Sequence, residues 1–217
     1  MRKNLFALLV IFFMTFSFAF GTEKGVAFNP YIGYGGEYIH YKGGEDTSSY
    51  ASNFLQGGSV LGACVIARFD YPVNLMLDFS MMKAGLGVKK IETNGSSSID
   101  EMEDCEQSDW FNLFLGISRY FRISKQTESY IAIGPDLLLS FKSRNSETLK
   151  NTIGLGVGIK TGIEFTYSPF WKVTASLTGT AAQNLKGSFY EERADEDSFF
   201  NSYAFSFYPS LGFSFNV

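Results

Sequence analysis

Residues 202–217 alternate almost without error. Tyr203, Phe205, Phe207, Pro209, Leu211, Phe213, Phe215 and Val217 fall on one side, and Ser202, Ala204, Ser206, Tyr208, Ser210, Gly212, Ser214 and Asn216 on the other. A β-strand points successive side chains to opposite faces, so this spacing predicts a strand with one wholly apolar face. The second face carries Ser, Gly and Asn where a sheet facing bulk water carries Lys, Glu and Arg. Small polar groups suit a cramped interior, and an unbroken aromatic face suits lipid.

Seven further runs obey the same rule, at residues 26–42, 61–71, 75–84, 110–123, 130–142, 152–168 and 171–181. In 152–168 the outward set is Ile153, Leu155, Val157, Ile159, Ile163, Phe165 and Tyr167. Gly154, Gly156, Gly158, Lys160, Gly162, Glu164 and Thr166 oppose it. Two runs are less regular. Residues 110–123 place Arg119 on the apolar face, which is tolerable only near the end of a strand. In 26–42, Gly36 is a point where a bulge would shift the register. The connections alternate in length: long at 43–58, short at 72–74, long at 89–109 and short at 124–129. An intermediate one follows at 143–151, then a very short one at 168–170 and a long one at 185–201. Eight antiparallel strands with this asymmetry predict an all-β, up-and-down transmembrane barrel, its long loops outside and both termini in the periplasm. Aromatics near the strand ends would form two interfacial girdles: Phe69, Tyr71, Phe121, Tyr167, Trp171 and Phe215 at one, Tyr38, Phe111, Phe141 and Tyr203 at the other.

The N-terminus sets the compartment. Arg2 and Lys3 precede an apolar run, and Ala19-Phe20-Gly21 offers a small-x-small cleavage site, so residues 1–21 read as a secretory signal. Residues 22–217 then form a single barrel domain. Loss of the two cations takes the formal net charge from −4 to −6. An acidic chain of this kind argues against nucleic acid as a partner. Charged residues are 18% of the chain and aromatic residues 17%, a balance unlike that of an ordinary soluble domain. Export permits a disulfide between Cys64 and Cys105, but their spacing neither requires nor forbids one.

The signal, the eight runs, the uneven loops and the closing Leu211, Phe213, Phe215 and Val217 carry a resemblance. The chain resembles the small eight-stranded outer-membrane β-barrels, the group of outer-membrane protein A (its barrel domain) and outer-membrane proteins X and W. The resemblance implies outer-membrane lipids as surroundings and a final strand that serves as a sorting signal for the barrel-assembly machinery. Val217 stands where that signal usually ends on an aromatic residue, with Phe215 before it on the same face.

An eight-stranded barrel is just wide enough for its own side chains to fill. Inward positions include Tyr31 and Phe114, and a set of balanced charges: Glu37, Arg68, Asp70, Asp78, Arg122, Asp136, Lys142, Lys160, Glu164 and Lys172. Buried charges must be paired, so these are expected to form a structural salt-bridged plug. The exposed chemistry lies in two loops. One carries Asp100, Glu101, Glu103, Asp104, Glu106 and Asp109. The other carries Glu191, Glu192, Asp195, Glu196 and Asp197, flanked by Phe189, Tyr190, Phe199 and Phe200. Their spacing matches no calcium loop, so they are expected to be solvated faces available to an extracellular host ligand. No cofactor or metal is expected: His40 is the only histidine, and Gly154, Gly156 and Gly158 complete no phosphate-binding motif.

The leading expectation is a monomeric, non-enzymatic barrel with a structural or surface-interaction role, displaying acidic and aromatic loops. One alternative is a narrow, porin-like channel or conduit for small, apolar solutes. The other is a lipid-A-modifying enzyme of the outer leaflet, in which His40 would act with an acid such as Glu37 and a serine such as Ser48, Ser49 or Ser59.

Overall fold

The computed structural model describes residues 25–43, 50–69, 73–93, 96–101, 108–142, 152–168, 170–186 and 202–216. The expected signal lies outside them. Among the described residues nine strands follow one another: β1 (Val26–Gly43), β2 (Tyr50–Ala67), β3 (Asn74–Thr93), β4 (Ser96–Glu101), β5 (Ser108–Arg122), β6 (Thr127–Lys142), β7 (Thr152–Thr166), β8 (Trp171–Lys186) and β9 (Ser202–Asn216). All pairings are antiparallel. The order β2-β1-β9-β8-β7-β6-β5-β3 closes on itself through the β2–β3 pairing, giving an eight-stranded barrel with β4 outside the ring. Tracing paired residues once round, from Ile39 through Ala204, Ala182, Gly156, Asp136, Phe114, Asp78 and Cys64, returns to β1 at Asn29. That stagger of ten residues is the tilt that lets eight strands close with no free edge in the ring.

The alternation in sequence becomes an inversion of the usual protein interior. On β9, Phe205, Phe207, Leu211, Phe213 and Phe215 are exposed, while Ser206, Tyr208, Ser210 and Ser214 are buried. The same holds on β7, where Leu155, Val157, Ile159 and Ile163 face outward and Lys160 and Glu164 inward. An apolar band therefore encircles a polar, filled lumen, which is the arrangement that lipid on one side requires. Among the described residues no helix is long and apolar enough to cross a membrane.

Both chain termini of the barrel lie at one end, where Ala27 pairs with Asn216. This terminal end also holds the short connections 68–73, 123–126 and 167–170. Two of them are closed by backbone bonds, Ile123 N to Thr127 O at 2.9 Å and Ser168 N to Trp171 O at 3.2 Å. The aromatic contacts expected at the two rims are present in part. Tyr167 lies 4.7 Å from Trp171 at the terminal end, and Tyr38 lies 6.5 Å from Tyr203 at the other, hairpin end.

The hairpin end departs from the sequence expectation in three places. The first loop is shorter than 43–58, because β2 already begins at Tyr50 and pairs with β1 up to Gly43. Residues 89–109 are not one loop either: β3 continues to Thr93 and turns into β4, which pairs back on Val88–Thr93. The extension passes through a bulge, since Gly57 faces Leu86 and Gly58 faces Ala84, leaving Gly85 as the extra residue. A bulge swaps the parity of everything beyond it, which hides the strand from a strict period-two reading. β8 likewise runs on to Lys186, past an extra residue opposite Ile153 and Gly154. Gly36 carries no bulge; the register of β1 with β2 runs unbroken past it.

Candidate functional site

Among the described residues, chemistry-bearing side chains converge in the lumen. Nearest the terminal end, Glu164 on β7 takes Arg68 Nη2 and Lys172 Nζ on Oε2, each at 2.9 Å. The Tyr120 hydroxyl donates to Oε1 of the same carboxylate at 3.0 Å. Lys172 also reaches Glu128 Oε2 at 2.8 Å, and the Arg68 guanidinium lies 5.1 Å over the Tyr120 ring. Two cations and two carboxylates thus cancel. Glu164 is fully buried with both oxygens occupied, the condition under which an enclosed carboxylate is tolerated.

Deeper in, Lys160 Nζ pairs with Asp78 Oδ2 and sits 4.1 Å above the Tyr31 ring. The Tyr31 hydroxyl donates to Asp78 Oδ1 at 2.6 Å. Tyr208 extends the cluster through its hydroxyl, 3.4 Å from that of Tyr31 and 2.9 Å from Ser80 Oγ. Strand register makes this meeting possible: Asp78 pairs with Phe114 on one side and Cys64 on the other, and Cys64 pairs with Asn29.

Toward the hairpin end the lumen turns apolar. Trp110 is completely buried, its ring 5.8 Å from Tyr208, and Ile39, Phe54, Met82 and Leu138 are buried with it. Two carboxylates stand in this region with amide partners instead of cations. Gln56 Nε2 donates to Glu37 Oε2 at 2.6 Å, and Asn112 Nδ2 to Asp136 Oδ2 at 3.1 Å. Among the described residues, the other oxygen of each, and Trp110 Nε1, find no hydrogen-bond partner.

Large rings fit because inward glycines on their own or nearby strands leave room for them. A Cβ at Gly62 would strike the Tyr31 ring, and one at Gly116 the Phe114 ring. One at Gly158 would stand 2.6 Å from Phe114, and one at Gly162 would stand 2.8 Å from Tyr130. These four inward glycines are therefore seats for aromatic rings, a role beyond that of small lining residues.

Of the ten expected lumen charges, Glu37, Asp78, Asp136, Lys160, Glu164 and Lys172 are buried inside, and Arg68 is half-buried at the rim. Asp70 and the Lys142 side chain lie outside the described residues. Arg122 requires correction. It has inward parity, but it ends β5 and is exposed, its Nε donating to Ser124 O at 3.3 Å. Tyr208, Trp110, Tyr120 and Tyr130 complete the plug and were not singled out from the sequence, although their inward parity was readable. Cys64 is buried and has no disulfide partner among the described residues; Cys105 lies outside them.

In the expected loop sites, Asp100 and Glu101 are exposed on β4, while Asp109 belongs to β5 and accepts the Ala84 N–H at 3.1 Å. Glu103, Asp104, Glu106, Phe189, Tyr190, Glu191, Glu192, Phe199 and Phe200 lie outside the described residues. In the final strand, Leu211, Phe213 and Phe215 face outward; Val217 is outside the described residues. Among the described residues no group of His, Cys, Asp and Glu could hold a metal.

His40 is on the outer face, where Nδ1 meets Asn53 Oδ1 at 2.7 Å and the ring stacks on Tyr203 at 4.7 Å. Tyr38 donates to the same Asn53 oxygen at 2.6 Å. Glu37 points the other way, into the lumen. Ser59 is six residues along β2 from Asn53, the register partner of His40, about 20 Å at the usual strand rise. Ser48 and Ser49 are outside the described residues. Neither Glu37 nor Ser59 can therefore form a triad with His40.

No family model and no curated sequence matches the chain. Solved structures do match its fold. Neisserial surface protein A superposes with a TM-score of 0.51 at 10% identity, covering 86% of this chain and 96% of that one. The outer-membrane protein OprG of Pseudomonas aeruginosa gives 0.53 at 10% identity, over 90% and 97%. The N-terminal barrel domain of OprF from the same organism gives 0.50 at 11% identity, over 90% and 100%. Closed eight-stranded topology, an outward apolar band and a filled lumen accompany that likeness, and the chain has the fold of the small eight-stranded outer-membrane β-barrels.

Proposed function

We propose that the protein is a non-conducting outer-membrane barrel that displays its hairpin end to the cell exterior for contact with extracellular partners. The observation that carries this reading is the stack of buried side chains across the lumen. The Glu164 cluster, the Lys160–Asp78–Tyr31–Tyr208 cluster and the apolar group around Trp110 succeed one another along the barrel. A solute would have to displace paired charges and close-packed rings together. The energy of the fold is spent on a plug, and the surface left for recognition is the hairpin end.

There the β3–β4 hairpin extends beyond the ring, and every residue of β4 is exposed, including Ile99 with Asp100 and Glu101. The opposing segment of β3 supplies Lys89 and Lys90, so the hairpin presents mixed charge with apolar positions between. This composition suits contact with a polar macromolecule. In this reading the termini are periplasmic, which agrees with the short connections at their end. An epitope inserted between Thr93 and Ser96 tests the orientation. It is expected to bind antibody on intact cells, whereas an epitope appended after Val217 is expected to bind only after the outer membrane is permeabilised. The reverse pattern would overturn the display reading.

A further inference from the structure

We propose that the β5–β6 hairpin at the terminal end is a binding site for the anionic headgroup of a membrane phospholipid. Residues 119–125 place three cations, Arg119, Arg122 and Lys125, within seven positions, with Phe121 and Ile123 between them. Arg119 is exposed on the outer wall, opposite Ile131 in the β6 register and flanked along β5 by outward-facing Ile117 and Phe121. A guanidinium in an apolar wall is costly at mid-membrane and tolerable where it reaches the interface. Arg119 leans toward that boundary: the guanidinium carbon lies 5.4 Å from the centre of the Phe121 ring, two residues nearer the rim. No carboxylate forms an ion pair with Arg119 among the described residues.

The remaining two cations continue from that point. Arg122, inward by parity but ending β5 at the barrel mouth, and Lys125 in the turn are both exposed, and Arg122 is steadied by its bond to Ser124 O at 3.3 Å. Glu128, the register partner of Arg122, is already engaged by Lys172 at 2.8 Å. Ser124 Oγ accepts the Gln126 and Thr127 N–H groups at 3.2 and 3.1 Å, which holds the turn that carries Lys125. The hairpin thus offers a guanidinium at the depth of a phosphate, two further cations beyond it, and exposed Phe121 and Ile123 beside them for acyl chains. Arginine forks match phosphate oxygens, and the barrel's own apolar band places this hairpin at a lipid surface. The inference goes beyond the display reading and does not depend on which end faces the cell exterior.

Native mass spectrometry of the detergent-solubilised full barrel tests the site directly, whatever its orientation in the cell. Phosphatidylglycerol is expected to be retained in preference to phosphatidylcholine, which shares the phosphate but has no net charge. Each single substitution, R119Q, R122Q or K125Q, is expected to weaken retention about five-fold, and the triple variant about a hundred-fold, from about 1 kcal/mol per cation at a membrane surface. Circular dichroism of each variant establishes that the barrel is folded, and R119K, which keeps the charge, is expected to retain most of the preference. Equal retention of the two lipids, or a folded triple variant that keeps the preference, would overturn the proposal. Displacement of phosphatidylglycerol by millimolar inorganic phosphate, with chloride at equal ionic strength inactive, would assign the site to a free anion and overturn the lipid assignment.

Discussion

Lys160 is an ammonium enclosed by the barrel wall, and its neighbours make that position tolerable. Asp78 supplies the opposite charge, the Tyr31 ring lies against its other side at 4.1 Å, and the Tyr31 hydroxyl occupies the second Asp78 oxygen. Removing one partner of such a pair leaves an uncompensated charge, whereas replacing both by apolar groups removes the problem. Lys160→Met is therefore expected to destabilise the barrel by about 3–5 kcal/mol, and Lys160→Met with Asp78→Leu to recover most of that loss. Urea unfolding from lipid vesicles measures both. Equal stability of the wild type and the single variant would show that the pair is not the structural centre of the lumen. The inward position of these residues was legible in the sequence, since Asp78 and Lys160 each sit at the polar parity of a clean run. Their mutual contact was not, because residues separated by 82 positions meet only through the closure and stagger of the barrel.

At the scale of the strand, the glycines decide which rings can lie flat inside. Gly62 is the clearest, because an added Cβ would run into Tyr31, whose hydroxyl is already fixed by Asp78. Gly62→Ala is expected to cost about 1–3 kcal/mol by overpacking. Gly179→Ala, where the nearest atom to the added carbon is Ser206 O at 4.0 Å, is expected to stay within about 0.5 kcal/mol. Similar losses at the two sites would mean that β-propensity, not ring seating, explains these glycines. Seven strands were readable in approximate position because lipid on one side and a packed lumen on the other enforce the period. β2 was recognised only in its second half: Asn53, Gln56 and the Gly57-Gly58 pair blur its faces. The far part of β3 was missed because Gly85 resets the parity, and β4 because Ser-Ser-Ser-Ile-Asp-Glu buries neither face. Arg119 was legible as an exception that had to lie near a strand end. Its direction along the wall toward Phe121 is a property of the folded barrel that the sequence does not show.

For the whole molecule, the strand count and the polar interior lead to one consequence. Eight strands with a ten-residue stagger enclose a space that Trp110, Phe114, Tyr31, Tyr130 and Tyr208 fill, together with two charge-balanced clusters. On the proposed reading, these layers make the barrel a closed support with distinct ends. The hairpin end presents mixed charge on an extended β3–β4 arm, and the terminal end presents the exposed cations Arg119, Arg122 and Lys125. The most direct test of the filled lumen is single-channel recording of the purified, full-length protein in planar lipid bilayers. The expected result is no stable conductance above that of the bare bilayer across the voltage range that the membrane withstands. A reproducible unitary current, abolished by substitution of Lys160 or Trp110 with no loss of folding, would contradict the closed-lumen account.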